Sequence, residues 1–234
     1  MSHDPDKPAH FDHDAFARGR KRNDFWGQIR RTVNGEPVGE EQIALILAAV
    51  RAGLDLRPDD VVLDLACGNG ALSSRLFDEC RAWRGVDFSE FLIDVAGEYF
   101  ERVPTHTFAL SDIVDYLRTD PDPQRYTKVL CYGSFSYLAE RDAREALSLL
   151  GGRYVNVTRM FIGNLPDYAQ RLAFYTQTVP ATAEFRRNTT SIGIWRTEAE
   201  FGDLARAVGW RATFSRMPDD FYGARYRYDA LLQR

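Results

Sequence analysis

Residues 61–70, VVLDLACGNG, bring an apolar run, a carboxylate and a glycine turn into one short stretch. The apolar residues 61–63 read as a buried strand of a parallel sheet. Gly68 and Gly70 let the backbone turn sharply beside a ligand, and a helix over 71–80 would aim its N-terminus at that ligand. Such a run is a nucleotide cradle, with Asp64 where the strand opens into the crevice. Nineteen positions beyond Gly68, the stretch Gly85-Val86-Asp87-Phe88-Ser89 sets a second carboxylate at the end of the next strand. Two ribose hydroxyls need a bidentate acceptor there, and Asp87 supplies one. Ser89 serves as cap of the helix that follows, which leaves Asp87 to the ligand.

The same glycines suit a dinucleotide-binding domain, where Gly-x-Gly-x-x-Gly lets a helix approach a pyrophosphate. Here the third glycine position holds Ser73, and Asp64 would set a carboxylate near that pyrophosphate. From 59 to 164 the chain resembles the class I S-adenosylmethionine-dependent methyltransferases, whose first motif runs acidic residue, spacer, small residue, spacer, Gly-x-Gly. Asp64, Ala66, Gly68, Asn69 and Gly70 meet that pattern, and beyond 164 the likeness is one of architecture. The resemblance implies S-adenosylmethionine as donor and S-adenosylhomocysteine as product, with Asp64 beside the donor's ammonium and sulfonium. It implies Asp87 on the ribose, Phe88 on the adenine face, Asp112 near the adenine amino group and Ile113 against the ring. Asp112 equally fits the N-cap of the helix it precedes. The rival readings are a protein that binds the donor without catalysis and a nicotinamide-dependent oxidoreductase.

The stretch Leu130-Cys131-Tyr132-Gly133-Ser134-Phe135-Ser136-Tyr137 follows the fourth strand, where methyl group and acceptor should meet. It holds no Asn-Pro-Pro-Tyr motif of the enzymes that methylate exocyclic amines, and no Asp at 132–134 to begin a magnesium site, so no metal is expected. Asn164-Leu165-Pro166-Asp167 reads as a loop breaker. Methyl transfer is an in-line displacement in which alignment alone can supply about 7–11 kcal/mol. An amine acceptor needs only to be neutral, whereas an alcohol gains about 10²–10⁴ in rate from a general base. No base is evident: His106 falls at the far end of its strand, and His10 and His13 reach the site only if the N-terminal tail folds over it. Tyr137 and Ser134 are the candidates to orient an acceptor, with Tyr132 beside the cofactor.

Residues 166–194 form a connection longer than a compact domain ordinarily needs, and read as a lid. Tyr168, Arg171, Phe174 and Tyr175 are spaced for one face of a short helix, and Arg186 and Arg187 offer guanidinium forks to a carboxylate or phosphate. With Phe25 and Trp26 this segment would roof the pocket, Trp26 over the cofactor and Phe25, Tyr168, Tyr175 and Arg187 toward the substrate. The acceptor expected is a hydroxyl or amine of a small molecule, such as a metabolite, a sugar or a natural-product intermediate.

The elements that must position these residues alternate along the chain. Strands are expected at 61–65, 82–87, 105–110, 126–133 and 154–163, with helices at 71–80, 89–102, 113–118 and 140–150, the pattern of a parallel α/β sheet covered on both faces. A helix starts at Thr197 with a capping box, and strands at 211–217 and 224–232 follow as an antiparallel pair. The resulting fold is a seven-stranded, mostly parallel Rossmann-like sheet with a reversed last strand, as the resemblance implies. Before it, helices at 24–31 and 39–54 make an N-terminal cap; in the second, Ile43, Ile46, Leu47, Val50 and Leu54 repeat at helical spacing. The division expected is a mobile tail at 1–22, in which Arg18-Gly19-Arg20-Lys21-Arg22 is a solvated charge run, and one domain at 23–234 with the cap at 23–58 and the lid at 166–194. The 234 residues suit a single domain, and 44% hydrophobic content is ample for its core. A net charge of -4 offers no basic field for nucleic acid, and no apolar stretch has the length of a membrane span. Cys67, Cys80 and Cys131 are odd in number and sit in core elements, so they read as reduced thiols of a cytoplasmic protein. The glycosylation pattern at Asn188-Thr189-Thr190 is then fortuitous.

Overall fold

The structure is a computed structural model and describes residues 13–175, 179–186 and 192–234. Its elements run α1 (His13–Arg18), α2 (Phe25–Gln28), a two-stranded ribbon β1 (Thr32–Val33) and β2 (Glu36–Pro37), α3 (Glu40–Leu54), β3 (Val61–Leu65), a 3-10 helix (Ser73–Glu79), β4 (Ala82–Asp87) and α4 (Glu90–Tyr99). Then come β5 (His106–Leu110), α5 (Ile113–Thr119), β6 (Lys128–Tyr132), α6 (Glu140–Gly152), β7 (Arg159–Pro166), α7 (Glu198–Arg206), β8 (Arg211–Ser215) and β9 (Arg227–Gln233). The main sheet has the order β5-β4-β3-β6-β7-β9-β8. β9 lies antiparallel between β7 and β8, and the pairings from β5 through β7 are parallel.

β3 and β6 are buried along their whole lengths, because helices cover both faces of the sheet. Residues of α5, α6 and α7 pack on one face, and residues of α3, α4 and the 3-10 helix on the other. The capping box at Thr197 forms as expected, with reciprocal bonds to Glu200.

Several expectations shift. The helix expected at 71–80 is a 3-10 helix: Ser73 and Ser74 turn their hydroxyls back onto Asp64 and the Ala71 carbonyl, and such local bonds compete with α-helix. The fifth strand begins at Arg159 rather than 154, because Tyr154 is anchored to Asp120 and a turn joins Tyr154 to Val157. The helix at 24–31 is one turn, capped by Asp24. Residues 13–22, expected within a tail, fold as α1 and a following turn against α4, while 1–12 lie outside the described residues. β7 carries a bulge between Ile162 and Leu165, where Asn164 takes a φ of 66° and donates its backbone N–H to Asp229 at 2.7 Å.

Candidate active site

The parallel strands β3, β4, β6 and β7 bring their carboxyl ends to one edge of the sheet, where ligands of open α/β sheets bind. At the end of β4, Asp87 is buried and accepts from the backbone N–H of Gly68 at 2.8 Å and of Ser89 at 2.9 Å. Burial pushes its carboxyl up to about 6, against the pull of those two N–H groups. Gly68 and Gly70 have φ of 59° and 75°, a region open to glycine, and a Cβ at Gly68 would press on Ile29. Phe88 and Leu110 are 55% and 53% exposed, and Leu110 lies in register with Asp87, so two apolar side chains flank the opening beside the carboxylate. Ile113 is buried behind them, and Asp112 caps α5 through the N–H of Val114 and Asp115.

Asp64 departs from its expected place. Its Oδ2 accepts from Ser73 Oγ and from Trp83 Nε1, inside the fold, and burial raises its carboxyl to about 7. Ala66, with a φ of 55°, takes the chain out of β3 toward the glycines.

The cap is stitched to this loop. Asn69 is fully buried; its Nδ2 donates to the Phe25 carbonyl and to Gln28 Oε1, both at 2.8 Å. Trp26 is half-buried against the α3 face of the core. Phe25, expected toward substrate, instead packs edge-on against Tyr99 and Phe100 at the end of α4. Asp14 of α1 accepts from Ser89 Oγ at 2.6 Å and from Phe91 N at 3.3 Å. Arg18 and Arg22, expected as solvated charge, pair with Glu90 and Glu98 of α4. α1 thereby sets the His13 ring edge-on to Tyr137, centroids 4.8 Å apart.

The acceptor side is expected where β6 and β7 end. Tyr132 is buried, its hydroxyl has no hydrogen-bond partner, and the Arg31 guanidinium lies over its ring at 4.7 Å. Gly163 permits this, because a Cβ there would come within 2.3 Å of the Tyr132 ring. Tyr137 closes the 3-10 turn Phe135–Tyr137, whose Tyr137 N–H donates to the Ser134 carbonyl, and burial raises its phenol. Arg227, at the start of β9, donates to the Asn164 carbonyl. Tyr168 and Tyr175, expected along one helix face, join an aromatic cluster with Phe174, Phe185, Trp195 and Tyr226. Arg171 and Arg186 lie over the Tyr168 ring, and Arg186 also pairs with Glu200. Arg187 and His10 fall outside the described residues. His106 is structural, held by Thr105 and the Phe77 carbonyl.

Sequence reasoning missed Arg31, Asn164 and Arg227, and left His13 conditional on the tail. The available signals were the Arg30-Arg31 pair ahead of the short ribbon and an Asn two residues before a proline at a strand end.

Among the described residues no helix is long and apolar enough to cross a membrane. Residues 62–151 match the model of a methyltransferase domain family. Over 111 residues the chain is 30% identical to an uncharacterized methyltransferase of Schizosaccharomyces pombe, a match that spans 44% of this chain and 38% of that relative. The structure resembles a cyclopropane synthase from Mycobacterium tuberculosis (TM-score 0.68, 12% identity, 97% of this chain and 99% of that one). It also resembles magnesium protoporphyrin IX methyltransferase from Synechocystis with bound S-adenosylhomocysteine (TM-score 0.58, 19% identity, 83% of each chain). Over residues 62–151, which hold the glycine loop and Asp87, the chain is thus a methyltransferase domain, carried on a seven-stranded sheet of order β5-β4-β3-β6-β7-β9-β8.

Proposed function

We propose that this chain transfers a methyl group from S-adenosylmethionine to a hydroxyl or amine of a small molecule. The observation that carries the donor half is Asp87: its carboxylate is locked to the glycine loop by Gly68 N–H and stands next to exposed Phe88 and Leu110. A carboxylate has lone pairs beyond the two those N–H groups use, enough to accept from ribose hydroxyls, and the apolar pair suits a purine face. Asp112 and Ile113 lie at the next strand end for the adenine edge, and Ala66, Asn69 and Gly70 shape the loop. The donor supplies an electrophilic methyl on a sulfonium. Asp64, tied to Ser73 and Trp83, supports the loop from within rather than meeting the donor.

Two features support a small acceptor. α1 and α2 lie across the crevice, and the segment carrying Trp195 abuts the acceptor loop through the Ile194 N–H on the Ser136 carbonyl at 2.7 Å. Tyr137 and Ser134 orient the acceptor, and His13 beside Tyr137 provides the imidazole base that an alcohol needs. Net negative charge disfavours nucleic acid, and three buried free thiols, Cys67, Cys80 and Cys131, suit the reducing cytoplasm.

The test is calorimetric titration of the purified chain with S-adenosylmethionine, S-adenosylhomocysteine and NADH, followed by transfer of a labelled methyl group to a panel of small alcohols and amines. Binding of the adenosyl pair with label transfer is the expected result. Binding of NADH alone would overturn the donor, and tight adenosyl binding with no transfer to any class would favour a non-catalytic binder.

A further inference from the structure

We propose that the acceptor carries an acid group, a carboxylate or a phosphate, held between Arg31 and Arg227 at the ends of β6 and β7. This rests on reading the crevice as the site of methyl transfer. Arg31 is only 8% exposed, yet among the described residues its guanidinium has no ion-pair partner, and its Nε is buried without a hydrogen bond. Its guanidinium lies over the Tyr132 ring, 4.7 Å away, and close enough to the buried Asp64 to pull that carboxyl's pKa down without forming an ion pair with it. Arg227 gives Nη1 to the Asn164 carbonyl, but its Nε is likewise buried and unmatched. The Tyr132 hydroxyl is a third buried group with no partner.

Arg31 and Arg227 both act electrostatically on Tyr132, and Arg31 reaches Gly133, the residue after it. A Cβ built there would lie 3.9 Å from Arg31 Nη1 and 3.5 Å from Asn164 Nδ2, so a small space at the strand end is bordered by a guanidinium and an amide. Arg186, Arg196 and Arg216 differ in having carboxylate partners, Glu200, Glu140, and Asp167 with Glu198 respectively, although Arg196 Nη1 and Arg84 Nε are also buried without a hydrogen bond. Burying a cation without a counter-ion is costly, and an oxyanion that bridges two guanidinium forks removes that cost. The nearby carboxylate of Asp229 accepts the Asn164 N–H instead of pairing with either arginine at ion-pair distance.

Two anions could reach such a site, the acceptor's acid or the donor's own carboxylate. The sheet order favours the acceptor: Arg227 sits on β9, separated from the glycine loop after β3 by β6 and β7.

The experiment uses the full chain saturated with S-adenosylhomocysteine and titrated with inorganic phosphate, acetate and, as the uncharged control, acetamide, by calorimetry and ligand-observed NMR. Wild type should bind the two anions and not the amide. Arg31→Gln and Arg227→Gln should each weaken anion binding at least tenfold with S-adenosylhomocysteine affinity unchanged, whereas Arg186→Gln should leave both intact; thermal melts establish that each variant is folded. No anion binding by the saturated wild type, or anion binding untouched in Arg31→Gln, overturns the proposal. If Arg31→Gln instead weakens S-adenosylhomocysteine but not 5′-methylthioadenosine, which lacks the carboxylate, Arg31 serves the donor and the proposal also fails. Failure of wild type to bind S-adenosylhomocysteine at all would strike the methyl-transfer reading beneath it, a result distinct from the other two.

Discussion

Replacing Asp87 by Asn keeps the side chain's shape and removes its charge. The two oxygens of Asp87 now accept from Gly68 and Ser89, so the amide can serve one of those N–H groups and must turn its own NH₂ toward the other. The ribose loses a charged acceptor, and hydrogen bonds to charged groups are worth about 1.5–3 kcal/mol. Affinity for S-adenosylhomocysteine should therefore fall about 10- to 150-fold. Melting with and without ligand gives an independent reading: ligand at about 100 times the wild-type Kd stabilises by about 2.7 kcal/mol, and a 100-fold weaker site leaves about 0.4 kcal/mol at the same concentration. Calorimetry should also show wild-type affinity falling as pH drops through about 6, where the buried carboxyl takes up its proton, and the Asn variant should lack that dependence. A folded Asp87→Asn protein that binds S-adenosylhomocysteine with wild-type affinity would refute the assignment of Asp87 to the donor.

Gly163→Ala drives a methyl group into the Tyr132 ring and should cost about 1–3 kcal/mol in denaturant unfolding. Asn69→Ala strips the glycine loop of its bonds to Phe25 and Gln28 and leaves buried partners unmatched; it should lose about 1–3 kcal/mol of stability and weaken donor binding. For a hydroxyl acceptor, His13→Ala should lower kcat about 10²- to 10⁴-fold with donor affinity unchanged, and added imidazole should restore part of the rate. Asp64 holds its proton to about 7 in the fold against 3.8 when unfolded, so between these values the folded chain binds the extra proton and ligand-free stability falls as pH rises. Asp87 and Asp229, both raised to about 6, act in the same direction over the lower part of that window. The melting temperature should drop from pH 5 to pH 7.5, and Asp64→Asn should flatten that slope.

The local structure of the proposed donor half was legible because it depends on near neighbours. An apolar strand, two glycines and a carboxylate nineteen positions on depend on neighbours in sequence, and parallel strands deliver their ends to one edge. Direction within a strand was not legible. Asp64 lies on a strand buried on both faces, and only the positions of Ser73 and Trp83 decide where its carboxylate points. The acceptor half depends on distant pairings. Pro166 ends β7 next to Arg227 across an antiparallel register, and the bulge at buried Asn164 is held by Asp229 on β9, so a stretch that reads as a loop breaker is strand. His13 reaches Tyr137 only because Asp14 and Arg18 find partners on α4, long-range contacts that a charge run does not announce.

The N-terminal cap touches both halves of the crevice: Asn69 and Ser89 hold it on one side, and Tyr132 and Tyr137 meet it on the other. Two ligands that share one wall do not bind as strangers. On the proposed reading, a ligand that stiffens Phe25 through Arg31 from one half stiffens the same wall for the other. The resulting coupling is reciprocal, so on the proposed reading the factor by which the nucleotide sharpens affinity for the acceptor is the factor by which the acceptor sharpens affinity for the nucleotide.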